Sequence, residues 1–399
     1  VAELALYGGR AVRDDWLPYS RQWIEEDDIS RVVEVLRGPW ITQGPWIEAF
    51  ERAIAERVGA KYAVAFANGT AALHAAMFAA GVGPGDEVVT TPITFVASAN
   101  CAAYVGARPV FADIDPTTYN LDPEKVEKAM SPRTRAIVAV DFAGQPADLD
   151  ALADIARRHG AVLIEDAAHA FGALYKGKPV GSIADMTMFS FHPVKAVTTG
   201  EGGIVVTNRD DYADKLRRFR THGIVRNGTE RDEGPWYYEM VDLGYNYRLT
   251  DIQAALGLSQ LGKLDRFLSL RRKYAEVYTR AFAEMDEVIV PAVAPYAESA
   301  WHLYVLQFRP ERLEGTRRLW FEALRAENIG VHVHYIPVHL HPYYRRTFGY
   351  EPGLCPVAEA WYERVVTLPL FPKMTEEDAA SVVEAVHKVV RHFRRGWRL

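Results

Sequence analysis

Between residues 62 and 164 the chain alternates short β-rich runs with helical stretches, and this alternation restricts its fold more than any other feature. Residues 62–66 (Tyr-Ala-Val-Ala-Phe) read as a strand. An apolar helix over 71–80 follows, stopped by Gly81-Val82-Gly83-Pro84-Gly85. Strands are expected at 88–90, 109–111, 136–140 and 161–164, with helices over 98–105, 122–130 and 148–159 between them. Repeated βα units of this kind make a mainly parallel sheet covered by helices on both faces. The expected class is α/β.

A second regime begins near Thr250. Thr250-Asp251-Ile252-Gln253 is a capping-box pattern, and Ile252, Ala255, Leu256, Leu258, Leu261, Leu264, Phe267 and Leu268 then trace one face of a long helix. That helix is expected to link a large domain, residues 1–255 with an N-terminal arm, to a smaller C-terminal α+β domain, residues 256–399. In the latter, strands are expected over 303–308 and 331–335, and helices over 316–327 and 376–391.

Composition narrows the function. With 49% hydrophobic and 25% charged residues, the 399-residue chain sits among ordinary globular proteins. A formal net charge of −6 argues against nucleic acid as a partner. The basic cluster at 391–395 reads as a solvated helix end. Two cysteines, Cys101 and Cys355, form neither a disulfide framework nor a zinc ribbon and suit a reducing compartment. No segment reads as a signal peptide or a bilayer span, so the expectation is a cytoplasmic protein without a membrane partner.

The chemistry concentrates between 161 and 207. An apolar run ends in Glu165-Asp166, and Ser190-Phe191-His192-Pro193-Val194-Lys195 and Gly200-Glu201-Gly202-Gly203 follow. Read alone, Lys195 is a surface-loop lysine and Asp166 a turn residue. Read together, they suit pyridoxal phosphate, which needs a lysine for its Schiff base and an acid for its ring nitrogen. Ligands of parallel sheets sit at the carboxyl ends of strands, where Asp166 falls. Ala167-Ala168 leave room for a flat ring, and His169 either contacts it or serves structure. Asn68-Gly69-Thr70 precedes a helix whose N-terminus is suited to phosphate or is simply capped. Phe95 is either a ring-stacking aromatic or core. Asn246 and Arg248, in a glycine-opened loop, suit phosphate or carboxylate. His332, His334, His339 and His341 alternate as strand metal ligands would, yet no Cys, Asp or Glu lies close by in sequence. With Tyr335 between them they read as a pocket wall, and no metal is expected.

Asp166-Ala167-Ala168-His169, residues 190–195, residues 200–203 and residues 243–256 together resemble the DegT/StrS family of nucleotide-sugar aminotransferases, which are fold type I pyridoxal-phosphate enzymes. The likeness runs from Gly8-Gly9 to Thr367-Leu368-Pro369-Leu370-Phe371-Pro372. It implies Lys195 as the Schiff-base lysine and Asp166 as partner of the pyridinium. It implies a phosphate cup of Gly69, Thr70, Ala71 and Ser190, and Phe95 stacking on the ring. His169 stands where many relatives carry Gln. Asn246 matches a residue that reaches the phosphate of the neighbouring subunit, which implies a homodimer with shared sites. Residues 189–195, 198–201 and 334–339, with Leu17-Pro18-Tyr19 and residues 40–44, resemble the subgroup acting in pseudaminic acid biosynthesis. That subgroup moves an amino group from glutamate, leaving 2-oxoglutarate, to C4 of a UDP-linked 4-keto-6-deoxy amino sugar. Tyr19, Arg248, His302, His334, Tyr335 and His339 are then candidates for substrate contact. Aminotransferases for other nucleotide-linked keto sugars, of the perosamine or 4-amino-arabinose type, remain alternatives. A sugar dehydratase is disfavoured by Lys195, since such relatives carry histidine there. A nicotinamide dehydrogenase would need a Gly-x-Gly-x-x-Gly turn, which is absent. A non-catalytic scaffold would bind no cofactor.

Overall fold

The computed structural model describes residues 3–226 and 234–396. Its centre is a seven-stranded sheet built from β1 (Tyr62–Phe66), β2 (Glu87–Thr90), β3 (Arg108–Phe111), β4 (Thr134–Val140), β5 (Val162–Asp166), β6 (Met186–Ser190) and β7 (Gly203–Thr207). The spatial order is β1-β7-β6-β5-β4-β2-β3. Strands β2 to β6 pair in parallel. Only β7 runs the other way, antiparallel to both β1 and β6. The expected α/β class is therefore the observed one. β6 lies where no strand is expected, because Met186-Thr187-Met188-Phe189-Ser190 has a single β-branched residue.

Apolar clusters cover both sheet faces. One packs the helix Gly69–Ala79 on Val64, Val138, Ile164 and Val205. The other face carries Leu149, Leu152 and Ile155 of the helix Leu149–His159 against Ile137, Ala139 and Leu163. Fully buried strands explain the near-continuous apolar runs in the sequence.

A second core gathers around a three-stranded antiparallel sheet of Val288–Ile289, Tyr304–Phe308 and Val365–Leu368. Tyr278, Tyr304, Trp320 and Val386 are buried there, and Leu4 and Leu17 of the N-terminal arm join them.

Two expectations are corrected. The long helix after Thr250 is broken into Asp251–Leu261 and Leu264–Phe282. The break falls at Gly262-Lys263, where glycine is a poor helix former and Lys263 turns aside to place its ammonium 2.6 Å from the buried Asp28 carboxylate. The second helix then passes between cores: Leu264 and Leu268 pack with the large sheet, Tyr274, Tyr278 and Phe282 with the small one. Residues 331–335 form no strand. They make one bridge, His332 to Thr367, before the chain leaves the small sheet toward Pro337 and brings Tyr335 to His169. No helix among the described residues is long and apolar enough to cross a membrane.

Candidate active site

β1, β4, β5 and β6 end along one edge of the large sheet, and β7 begins there, with Phe66 opposite Gly203 and Val140 opposite Asp166. A cavity of about 1040 Å³ opens at this edge. Asp166, Lys195, Ser190, Thr70, Phe95 and His169 all line it.

The phosphate-like end is set by backbone. Asn68 caps the helix Gly69–Ala79 by accepting the Ala71 N–H at 2.8 Å. The amides of Gly69 and Thr70 have no acceptor among the described residues. Free amides at a helix N-terminus attract an anion. A β-carbon on Gly69 would meet Ser190 Cβ at 3.2 Å, so glycine keeps the gap between helix and β6 open. Gly203 matters more: a β-carbon there would fall 2.5 Å from the Asn68 carbonyl carbon. Behind this end, His74 packs among Tyr104, Phe219 and Tyr245, and its Nδ1 lies 3.1 Å from the Tyr247 hydroxyl.

Asp166 ends β5 and is buried. Burial raises its pKa, while the Ser98 hydroxyl donating at 2.6 Å, the Ala168 N–H at 3.2 Å and the Lys195 charge draw it back toward ionisation. Ser98 spends its one hydrogen on Asp166, so the Thr94 hydroxyl, 2.6 Å away, donates to Ser98. Lys195 sits in a loop pinned by Phe191, whose carbonyl accepts from Thr198 Oγ1 and the Thr199 N–H. Desolvation lowers the Lys195 pKa to about 8, against the opposing pull of the Asp166 carboxylate. An amine so tuned is neutral for a substantial fraction of the time near physiological pH.

His169 is buried, and burial holds its imidazole neutral. The Ala143 N–H donates to Nδ1 at 3.2 Å, which assigns the ring proton to Nε2. Nε2–H then donates to the Tyr335 oxygen at 3.1 Å, leaving the Tyr335 hydroxyl hydrogen for the cavity. Tyr19, His332 and His334 continue the same wall as an aromatic cluster.

Four expected residues lie elsewhere. His339 is fully buried, with Nε2 2.7 Å from Glu359, because the turn Val338–Leu340 takes it away from the wall; it is a packing node and no substrate contact. His302 is buried behind His169, ring centroids 4.3 Å apart, and supports that ring from outside the cavity. Arg248 lines a separate depression with Glu51 and Arg220. Asn246 is exposed on the surface, bridged to Thr221. Thr94, Ser98 and His74 shape the cavity without a local sequence signal. Among the described residues no group of three or more His, Cys, Asp or Glu converges as metal ligands would.

Residues 22–387 match the DegT/DnrJ/EryC1/StrS aminotransferase family. The chain belongs to that family. It is 45% identical over 382 residues to the spore coat polysaccharide biosynthesis protein SpsC of Bacillus subtilis, covering 95% of this chain and 98% of SpsC. Among solved structures, PseC of Helicobacter pylori, an aminotransferase of pseudaminic acid biosynthesis, superposes with a TM-score of 0.88 at 32% identity, covering 95% of this chain and 100% of PseC. Spr1654 of Streptococcus pneumoniae, assigned as a sugar aminotransferase, matches in its PLP-form with a TM-score of 0.88 and 32% identity over 94% of this chain and 99% of its own. The family and its structures make this chain a pyridoxal-phosphate-dependent sugar aminotransferase of fold type I. The donor set fits the cofactor: unpaired amides and a glycine-lined gap for phosphate, a buried acid for the ring nitrogen and a partly desolvated amine in one cavity.

Proposed function

We propose that the chain transfers an amino group from glutamate to C4 of a UDP-linked 4-keto-6-deoxy amino sugar, as an enzyme of pseudaminic acid biosynthesis. The observation that carries the catalytic part is the opening of Lys195 and Asp166 into one cavity beside a helix N-terminus. Bound pyridoxal phosphate supplies a carbonyl that exchanges amino groups and a ring that withdraws electrons from the reacting carbon. Lys195 is the residue that holds the cofactor and, once released, moves a proton to and from the reacting carbon as general acid and base. Asp166, held by Ser98, keeps the ring nitrogen protonated. The amides of Gly69 and Thr70, with Ser190, hold the phosphate; Ala71 completes the first turn. Phe95, its side chain exposed into the cavity, stacks on the ring. Tyr335 offers its hydroxyl hydrogen to an oxygen of the bound ligand, and Tyr19 and His334 shape the sugar side of the wall.

The likeness to PseC supports the sugar assignment, and the same wall carries the Tyr19 and 334–335 elements of the sequence resemblance. A homodimer is part of this reading. Trp236, Met240 and Leu243, which precede Asn246 in the chain, are 72%, 61% and 74% exposed, apolar side chains that a second copy would cover. Arg248 opens into the depression with Glu51 and Arg220 and is not among the residues that line the cavity. A cytoplasmic setting belongs to the same reading, and two free, buried cysteines are compatible with it.

The test is a substrate panel. The yellow holoenzyme is incubated with glutamate and UDP- or dTDP-linked 3-keto and 4-keto sugars, and product masses are followed. Amination confined to the UDP-linked 4-keto-6-deoxy amino sugar is expected. A preference for a 3-keto or dTDP-linked acceptor overturns the sugar assignment.

A further inference from the structure

The helix Leu264–Phe282 carries a buried cation where it passes between the two cores. Arg271 is 1% exposed and forms no ion pair with any described carboxylate. Its partners are backbone oxygens: Nη1 donates to Leu370 at 2.9 Å, His302 at 3.1 Å and Trp301 at 3.3 Å, and Nη2 to Val194 at 3.4 Å. These oxygens come from three separate segments. Val194 immediately precedes Lys195, His302 packs on His169, and Leu370 follows the last strand of the small sheet.

A buried arginine without a carboxylate is costly, because partial charges on carbonyls replace only part of its hydration. The carbonyls require a donor, which a neutral amide could supply; a guanidinium adds a full charge to the same bonds. The guanidinium joins the loop of residue 195 to the backbone of residues 301, 302 and 370, and its charge acts on the amine.

We propose that Arg271 is a positioning residue for the aminotransfer reaction: it fixes the Lys195 loop through Val194 and keeps a permanent positive charge behind the amine. This rests on the reading of Lys195 as the cofactor-bearing lysine. Burial draws the Arg271 pKa down to about 10, which still leaves it charged at neutral pH. Its charge adds to the desolvation that favours the neutral Lys195 amine, against the Asp166 carboxylate. The other titratable groups around the amine are His169, His192, His302 and His334, each with a lowered pKa and burial as its largest cause, and Glu201 at the cavity rim. None of these four histidines, neutral at pH 7 to 8, can replace the guanidinium as a fixed charge.

The experiment uses holoenzyme reconstituted with pyridoxamine phosphate, in which Lys195 is free. The ionisation of Lys195 is read by pH-dependent competitive acetylation and peptide mass spectrometry. Wild type is expected to titrate near 8. Arg271→Gln, which still donates to carbonyls but is neutral, is expected to raise this value by about one unit. Arg271→Lys, which keeps the charge, is expected to leave it in place. A wild-type value near the ordinary lysine range overturns the proposal whatever the variants do, as do equal shifts in both variants. Borohydride reduction of the yellow form, with peptide mapping, separately identifies the lysine that bears the cofactor. A different lysine there defeats the Lys195 reading and not the measured ionisation.

Discussion

Ser98 offers the sharpest test of how the site holds its acid. Its hydroxyl is 2.6 Å from Asp166 Oδ2 and is buried, so solvent does not compete for the bond. A hydrogen bond to a charged group is worth roughly 1.5–3 kcal/mol. One pKa unit corresponds to about 1.4 kcal/mol. Ser98→Ala removes a bond that favours the ionised carboxylate, so the Asp166 pKa, already raised by burial, rises by a further one to two units, roughly. The carboxylate is the form that holds the ring nitrogen protonated. The acidic limb of the pH profile therefore moves to higher pH by about the same amount, with little loss at pH 9. The assay is the rate at which glutamate bleaches the holoenzyme's visible absorbance, followed from pH 5 to 9. Thr94→Val acts through Ser98 and gives a smaller shift in the same direction. The double variant shifts no further than Ser98→Ala alone, because the two hydroxyls form one chain. Superimposable wild-type and Ser98→Ala profiles would refute the reasoning. Additive shifts would show that Thr94 reaches the carboxylate independently.

Three further outcomes are expected. Lys195→Ala abolishes turnover with glutamate and leaves no cofactor attached after borohydride reduction, read by peptide mapping; near-normal turnover removes Lys195 from the chemistry. Gly203→Ala forces a methyl group against the Asn68 and Gly69 backbone at 2.5–2.6 Å, and is expected to cost about 1–3 kcal/mol of stability and weaken cofactor retention, measured by thermal denaturation and cofactor dialysis. Asp141 and Glu165 are buried beneath Asp166 and both are raised, burial first, Asp141 further by Glu165. The folded state thus keeps a proton that the unfolded chain releases near pH 4, and stability falls as pH climbs from there through the raised values. Asp141→Asn flattens that slope in urea titrations between pH 5 and 8, and an unchanged slope removes the pair as its source.

What the sequence made legible follows the range of the forces involved. Strand and helix alternation through residue 164 is a local pattern, and the sheet edge it creates brings Asp166, Ser190 and Thr70 to one place. The residues that set their chemistry reach the site through tertiary contact. Ser98 is the second residue of a helix whose sequence, Ala-Ser-Ala-Asn-Cys, names no partner, and it meets Asp166 only because β2 and β4 put that helix over β5. Arg271 stands on the same helix face as Leu264, Phe267, Leu268, Tyr274 and Tyr278, a charged residue in an apolar stripe, and the backbone oxygens that receive it come from segments distant in sequence.

The histidine-rich segment shows the opposite failure. Alternating His332, Val333 and His334 reads as a strand, yet sheet pairing ends after one bridge, and the two histidines nevertheless stack, ring centroids 4.5 Å apart, and line the cavity together. The pocket-wall reading of the segment places His339 with Tyr335, whereas Tyr335 meets His169 and the turn Val338–Leu340 takes His339 to Glu359. The alternation ends at the turn Val338–Leu340, and beyond it spacing no longer says which side chains share a wall. Here one proline separates a residue that meets the ligand cavity from one that meets a carboxylate in the core.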